Sequence, residues 1–268
     1  MKITEIIRER KSVRSYLNTP LRNEEAANIE KFIAGLTPPF GAKARIELIR
    51  DADSANTEKL GTYGVVKGAR DFLVLAYEDA PMAEEGAAYA LEQVILYCTG
   101  LGLGTCWIGG TLKHSDFAAA IGLQPEETLR IISPVGHRAG KKTFVDAAFS
   151  AAIGSRSRMP IEKLFFDGSW DKPLLQETAG KFAVPLEMVR LAPSARNKQP
   201  WRMLVDGDAV HFYRRPDDSR FTRTDIGIAL CHFEQACAET GIGGRYIVSN
   251  DHPAPPADAV YVISYIAG

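Results

Sequence analysis

Three short runs of this 268-residue chain concentrate groups able to hold a ligand. Arg10-Lys11-Ser12-Val13-Arg14 places three cations and a hydroxyl within five residues. That donor density suits a phosphate, held by charge-assisted and partly bidentate hydrogen bonds. A solvated basic loop has the same composition, because short basic runs are common. Ser155-Arg156-Ser157-Arg158 is a second basic knot, which fits a surface linker equally well. The third run, Leu191-Ala-Pro193-Ser194-Ala195-Arg196-Asn197-Lys198-Gln199-Pro200-Trp201, joins rigid prolines to short donors and acceptors. Such a loop can read a flat heterocycle bearing carbonyls and ring nitrogens, or it can satisfy only its own turn.

A fourth run, Gly100-Leu-Gly102-Leu-Gly104-Thr-Cys-Trp107-Ile108-Gly109-Gly110, superficially suggests a dinucleotide fingerprint. That fingerprint needs its glycines after a strand and before a helix, and here they follow a helix and precede a strand. A Rossmann site is therefore rejected; the glycines are expected to cap a helix and let backbone approach a ligand edge. His114, His137, His211, His232 and His252 show no metal-ligand spacing, and no Ser-His-Asp grouping follows from their order. Glu84 and Glu85 are expected on a solvated loop or helix start. No catalytic side chain and no metal site is assigned.

Composition narrows the classes further. The formal net charge is −1, from 32 basic and 33 acidic residues, so no global field favours nucleic acid or an anionic membrane. Cys98, Cys106, Cys231 and Cys237 form no CxxC pair and sit in apolar runs, which fits reduced, buried thiols in a cytoplasmic protein. The N-terminus lacks the apolar core of a signal peptide, and no stretch approaches the roughly 18 to 20 apolar residues that cross a bilayer.

The elements that must position these runs repeat along the chain. Thr37-Pro38-Pro39 follows a helix expected over 24–36 and precedes a strand expected over 45–49. Ala192-Pro193-Ser194 follows a helix expected over 185–191 and precedes a strand expected over 201–205, an offset of 192 − 37 = 155. Long helices expected over 89–100 and 225–240 end in Gly102-Leu-Gly104 and Gly241-Ile-Gly243, an offset of 241 − 102 = 139. Short segments at 3–7 and 160–164 open the two copies, and strands expected over 129–133 and 261–265 close them. Each half reads helix, helix, strand, strand, long helix, strand, with Gly or Pro between elements. Because helices and strands do not alternate strictly, the expectation is an α+β fold: a mixed, largely antiparallel sheet flanked by helices. The halves divide at 1–158 and 159–268 and are expected to pack as one unit.

These residues resemble the nitroreductase family of FMN enzymes. Arg10-Lys-Ser-Val-Arg14 is similar to that family's N-terminal Arg-x-Ser-x-Arg phosphate motif, and Ala192 to Trp201 closely matches its flavin-ring loop. Gly102 to Gly110 is similar to the segment passing the isoalloxazine, and Arg156-Ser-Arg158-Met-Pro160 to its basic phosphate arm. The resemblance implies phosphate binding by Arg10, Lys11, Ser12, Arg14, Arg156 and Arg158. It implies ring and ribityl contacts by Pro193, Ser194, Ala195, Asn197, Ile108, Gly109 and Gly110, with Tyr63 and Gly64 near the pyrimidine edge. One departure matters. The phosphate motif and ring loop lie in different halves: the first half has Thr37-Pro-Pro-Phe-Gly-Ala-Lys43 at the ring loop, and the second has Phe165-Phe-Asp-Gly-Ser-Trp170 at the basic motif. The pattern resembles a fused pseudo-dimer that keeps one flavin site, so the chain is expected to be a monomer or a weak homo-oligomer. The implied activity is NADH- or NADPH-driven, ping-pong reduction of a small flat electrophile such as a nitroaromatic or quinone. The alternative is a flavin-binding or redox-sensing protein with little turnover.

Overall fold

The computed structural model describes residues 1–50, 61–140, 157–215 and 219–268. The chain divides into two compact units, one of Glu9–Ala152 and one of Met1–Arg8 with Ile153–Gly268. They are called the first and second units below. Residues 1–8 thus group with the later part of the chain, where the sequence-based division had kept them with the first half.

In the first unit, helices α2 (Asn23–Ala34), α3 (Ala83–Gly100) and α4 (His114–Ala120) accompany strands β1 (Ala44–Arg50), β2 (Asp71–Glu78), β3 (Gly104–Thr105) and β4 (Glu127–Gly136). Helix α1 (Ile3–Glu9) precedes them. The strands form one antiparallel sheet in the order β1-β2-β4-β3. Strand β2, Asp71-Phe-Leu-Val-Leu-Ala-Tyr-Glu, is buried at every position but its last, as a central strand covered on both faces must be. Its alternate residues Phe72, Val74 and Ala76 pack with Phe117 of α4 and with Ile121, Cys106, Ile108 and Ile132.

Helix α3 carries little amphipathic contrast and is buried on all sides, including Glu84 and Glu85 at 3 % exposure each. Those two residues do lie at a helix start, but they are not solvated. Glu84 Oε2 accepts hydrogen bonds from Tyr77 Oη at 3.2 Å and from Arg130 Nη1 at 3.2 Å, and carboxylates are favoured in a first turn. The helix also begins six residues earlier than apolar spacing suggested, because Ala83 to Ala88 includes these acids and so hides its burial from the sequence.

The second unit contains β5 (Phe165–Asp167), α5 (Ala183–Leu191), β6 (Trp201–Asp206), β7 (Ala209–Arg214), α6 (Thr222–Glu239), β8 (Gly244–Ile247) and β9 (Val260–Ala267). Its sheet runs β5-β6-β7-β9-β8, with β5 parallel to β6 and the other pairs antiparallel. The helix expected at 160–164 is only a 3-10 turn over Ile161–Lys163. The chain then leaves for the sheet, where Phe165, Phe166 and Asp167 pair with Met203, Leu204 and Val205. Residues 1–8 are tied to this unit through Glu239, whose carboxylate accepts from the Ile3 N–H and from Thr4 Oγ1, the latter at 2.6 Å.

Apart from β5, the order β6-β7-β9-β8 repeats β1-β2-β4-β3. Helices α3 and α6 are each 18 residues long and start 222 − 83 = 139 positions apart, the same offset as the glycine pairs that follow them. Each sheet has a register irregularity between its two central strands, at Leu75/Ala76 and at Phe212/Tyr213. The units differ where α4 stands in the first: no helix is described between β8 and β9. An aromatic layer covers that face instead, with Phe166, Trp170 and Tyr261 packed on Leu204, Tyr213 and Ala259. The 253–254 backbone is fixed over it by bonds from Tyr213 Oη to the Pro253 carbonyl at 2.6 Å and from Trp170 Nε1 to the Ala254 carbonyl at 2.8 Å.

Candidate functional site

Beyond α1 the first cationic run is extended, and it is woven into the first unit at three places. Ser12 bridges Thr105 of β3 in parallel, Ser15 bridges Lys67 in parallel, and Tyr16 bridges Arg138 in antiparallel fashion. The Val13 N–H donates to the Thr105 carbonyl at 2.8 Å, and the Tyr16 N–H to the Lys67 carbonyl at 2.9 Å. Two glycines permit this closeness. A Cβ on Gly68, at φ +77°, would lie 2.3 Å from the Tyr16 carbonyl oxygen, and one on Gly104 would lie 2.9 Å from Val13 Cγ1.

Alternation along this strap separates its side chains. Arg10 is buried at 8 % exposure and Ser12 and Arg14 are half-buried, whereas Lys11 is exposed. Of the four phosphate candidates in this run, Lys11 is therefore the one turned to solvent. Burial pulls the Arg10 pKa below the ordinary arginine value, the buried carboxylate Glu92 raises it, and the nearby charge of Arg138 lowers it further. Glu92 in turn accepts a hydrogen bond from Trp107 Nε1 at 2.8 Å. The Arg10 Nε is buried with no hydrogen-bond partner among the described residues, and so is the Arg138 Nε. Unsatisfied guanidinium donors at buried positions are costly, and an anion is the group that would satisfy them.

The glycine-rich run delivers its members to different environments. Ile108 is buried among the core residues around α4, and its N–H and carbonyl are both bonded to Ile132, at 3.0 and 2.9 Å. These two bonds fix the approach of Gly109 and Gly110. Gly110 is exposed, with nothing within 4 Å of a Cβ built on it. Tyr63 and Gly64, at φ 47° and 76°, form a left-handed turn closed by the Val65 N–H on the Thr62 carbonyl at 3.1 Å. Tyr63 is 73 % exposed, and Gly64 and Gly110 are exposed as well.

In the second unit the run after α5 is a strained, internally bonded loop. Arg196, Asn197 and Gln199 all take positive φ, at 52°, 57° and 49°, a region costly for residues with a Cβ and least so for Asn. The loop is held from within: the Gln199 N–H donates to Ser194 Oγ at 2.9 Å, and the Asn197 N–H to the Ser194 carbonyl at 3.0 Å. Asp225 in the first turn of α6 anchors it through Oδ1, which accepts from the Ala195 N–H at 2.9 Å. Pro193, Ser194, Ala195 and Asn197 are all half-buried.

Arg158 is engaged with its neighbours in the second unit. Its Nη1 donates to Asn197 Oδ1 at 3.2 Å and its Nη2 to the Leu191 carbonyl at 3.1 Å, while Asn197 Nδ2 donates to the Ser157 carbonyl at 2.9 Å. The structure thus gathers Arg158 with the proline-serine-asparagine loop, which it braces. Arg156 lies outside the described residues. Sequence reasoning missed Arg138, Glu92 and Asp225. Arg138 adjoins the strap only because β4 runs beside β3, and Glu92 and Asp225 are acids buried on long helices; no local pattern marks any of them.

Two α+β units built on one strand plan, with a basic strap in one and a rigid polar loop in the other, define a fold class that can be compared with known proteins. A family model described as "Putative TM nitroreductase" matches residues 2–237. Among solved structures, a protein from Thermotoga maritima described as "a putative nitroreductase" aligns over 99 % of this chain and 94 % of its own, with a TM-score of 0.63 at 20 % identity. A nitroreductase with bound FMN from Bacteroides fragilis aligns over 53 % of this chain and 92 % of its own, with a TM-score of 0.43 at 19 % identity. No curated protein matches the chain. The chain belongs to the nitroreductase family, a family of oxidoreductases.

Proposed function

We propose that the chain binds FMN and works as an NADH- or NADPH-dependent oxidoreductase that reduces nitroaromatics, quinones or similar flat electrophiles by a ping-pong cycle. The observation that carries this reading is the buried Arg10, whose Nε has no hydrogen-bond partner among the described residues, on a strap that also presents Ser12 and Arg14. These residues fit the phosphate of a flavin mononucleotide: fixed cations supply the charge, and the serine supplies a short hydroxyl donor.

Arg10, Ser12 and Arg14 hold the phosphate, with Lys11 adding a mobile charge from the solvent side and Arg156 and Arg158 assigned to the same group. Pro193, Ser194 and Ala195 face the ring system, and Ser194 Oγ keeps its own proton to donate while accepting from Gln199. Asn197 joins them when its amide is released from Arg158. Gly109 and Gly110 give backbone access to the ring edge, and Tyr63 and Gly64 border the pyrimidine end. Bound FMN supplies the redox chemistry, accepting hydride from the nicotinamide and passing reducing equivalents to the second substrate. The protein's part is to orient, exclude water and stabilise negative charge with backbone donors, which is why no side-chain acid or base is assigned. The recurrence of strand order and helix length is read as an internal duplication in which one flavin site is retained.

Purified protein should be yellow, bleach with NADH or NADPH under nitrogen, and regain colour on addition of a nitroaromatic or quinone. Arg10→Gln should weaken FMN retention by about 1.5 to 3 kcal/mol, the range for a hydrogen bond to a charged group. Colourless protein that takes up no added FMN would sink the reading. Yellow protein indifferent to nicotinamide would instead be a flavin binder with little turnover.

A further inference from the structure

The strap is not the only source of positive charge around Arg10. Arg138 lies two residues beyond β4, and its backbone pairs with Tyr16, while the Ala139 N–H donates to the Ser15 carbonyl at 3.0 Å. Its side chain then crosses Gly104: a Cβ at that glycine would lie 3.0 Å from Arg138 Cγ, on the same spot that brings it 2.9 Å from Val13 Cγ1. The aliphatic stem therefore runs alongside Val13, the residue that follows Ser12. The guanidinium makes one weak bond, from Nη2 to the Leu103 carbonyl at 3.3 Å, and forms no ion pair of 4 Å or less with a described carboxylate.

Arg10 and Arg138 stand on adjoining segments, and each keeps a buried Nε with no hydrogen-bond partner among the described residues. An anion held by both accepts from these orphaned donors. Beside Arg10 and Arg14 of the strap, Arg138 adds a fixed cation from a different segment, which suits a doubly charged phosphate monoester better than a neutral or singly charged group.

Resting on the FMN reading above, we propose that Arg138 is an additional phosphate ligand, outside the Arg10–Arg14 motif, and that it makes the site selective for a terminal phosphate monoester over an uncharged or diester-linked flavin. Gly104 belongs to this assignment, since any side chain there would push the Arg138 stem from the strap.

The test is a titration of flavin-stripped protein with FMN, riboflavin and FAD, followed by quenching of flavin fluorescence, for wild type, Arg138→Gln and Arg138→Lys. Wild type should prefer FMN to both others. Arg138→Gln should lose about tenfold to hundredfold in FMN affinity while riboflavin affinity stays unchanged, and Arg138→Lys should fall between. Circular dichroism and the thermal midpoint of each variant establish that it is folded. Should the Gln variant fail to fold, the Lys variant, which keeps charge and stem, carries the comparison. An unchanged FMN-to-riboflavin ratio in the folded variants overturns the assignment. Inorganic phosphate separates this failure from that of the flavin reading. If wild type binds no flavin yet phosphate raises its thermal midpoint, and Arg138→Gln abolishes that rise, the anion site stands and the FMN reading falls. If phosphate has no effect either, both fall.

Discussion

Asn197 carries two burdens that can be separated by mutation. Its backbone sits at φ 57°, and its side-chain amide joins the loop to Arg158 and Ser157. Asn197→Ala removes the amide and places a residue poorly suited to that backbone, whereas Asn197→Gly removes the amide and relieves the backbone. Left-handed conformation costs an ordinary residue roughly 1 to 2 kcal/mol, and glycine gives some of that back through its greater unfolded-state entropy. The Gly variant should therefore be more stable than the Ala variant by about 0.5 to 1 kcal/mol in urea unfolding, with both below wild type. Equal midpoints for the two variants would mean that the loop is not strained at this residue. At this scale the sequence was only partly readable. The donors of the Pro193–Asn197 loop and of the Arg10–Arg14 run stand out because their types are dense and local. Arg158 carried an equally plain signal, but its bonds to Asn197 and Leu191 could not be read from the sequence, because chemical type specifies what a side chain can bind and not which neighbours it meets. Arg138 and Asp225 gave no signal, since each gains its meaning from an element distant in sequence.

The strap from Arg10 to Tyr16 works as an element because three other segments accept it, and Gly68 is the tightest of those fits. A Cβ there would overlap the Tyr16 carbonyl at 2.3 Å, and the residue already stands at φ +77°. Backbone overlap cannot be relieved by rotating a side chain, so the strap or the 67–68 segment must move. Gly68→Ala should destabilise the protein by at least about 2 kcal/mol, combining left-handed strain with the loss of the adjoining bridge. It should also lower FMN retention, although residue 68 has no side chain to offer a ligand. Thermal unfolding and flavin content measured on the same preparations check this: stable protein with full flavin would show that the strap does not depend on its close approach to residue 68. Most elements were legible from periodicity and glycine punctuation, within a few residues at their ends. The exceptions are those whose existence depends on tertiary partners. Strand β5 is three residues long and exists by pairing with β6. Helix α4 is two turns long and owes its place to Phe117 in the core. In α3, buried acids conceal the first turns.

Whole-molecule arithmetic turns on how many flavins one chain can hold. Each unit has the same strand plan, so two equivalent sites would be the simplest outcome of a duplication. The residues at the corresponding places argue otherwise. Where the second unit has its polar loop, the first has Thr37-Pro38-Pro39-Phe40-Gly41-Ala42, packed against α3 so closely that a Cβ on Gly86 would lie 2.5 Å from the Pro39 carbonyl and 2.7 Å from Ala42 Cβ. Phe40 makes an edge contact with Tyr89, so that stretch is occupied by packing and offers no serine or asparagine to a ring. In chain order the second half's counterpart of the basic strap is Phe165, Phe166 and Asp167, which form β5 beside β6, whereas the strap itself bridges β3. An acid and two aromatics there cannot replace Arg10, Ser12 and Arg14 around a dianion. A second site would thus lack both its phosphate ligands and its ring loop, and one FMN per chain is the expected content. Acid-released flavin, quantified by absorbance against protein from amino-acid analysis, should approach one equivalent after saturation with FMN and removal of the excess. Two equivalents would mean that the packed 37–42 loop and β5 do not close the second site, and the duplication would then have kept both.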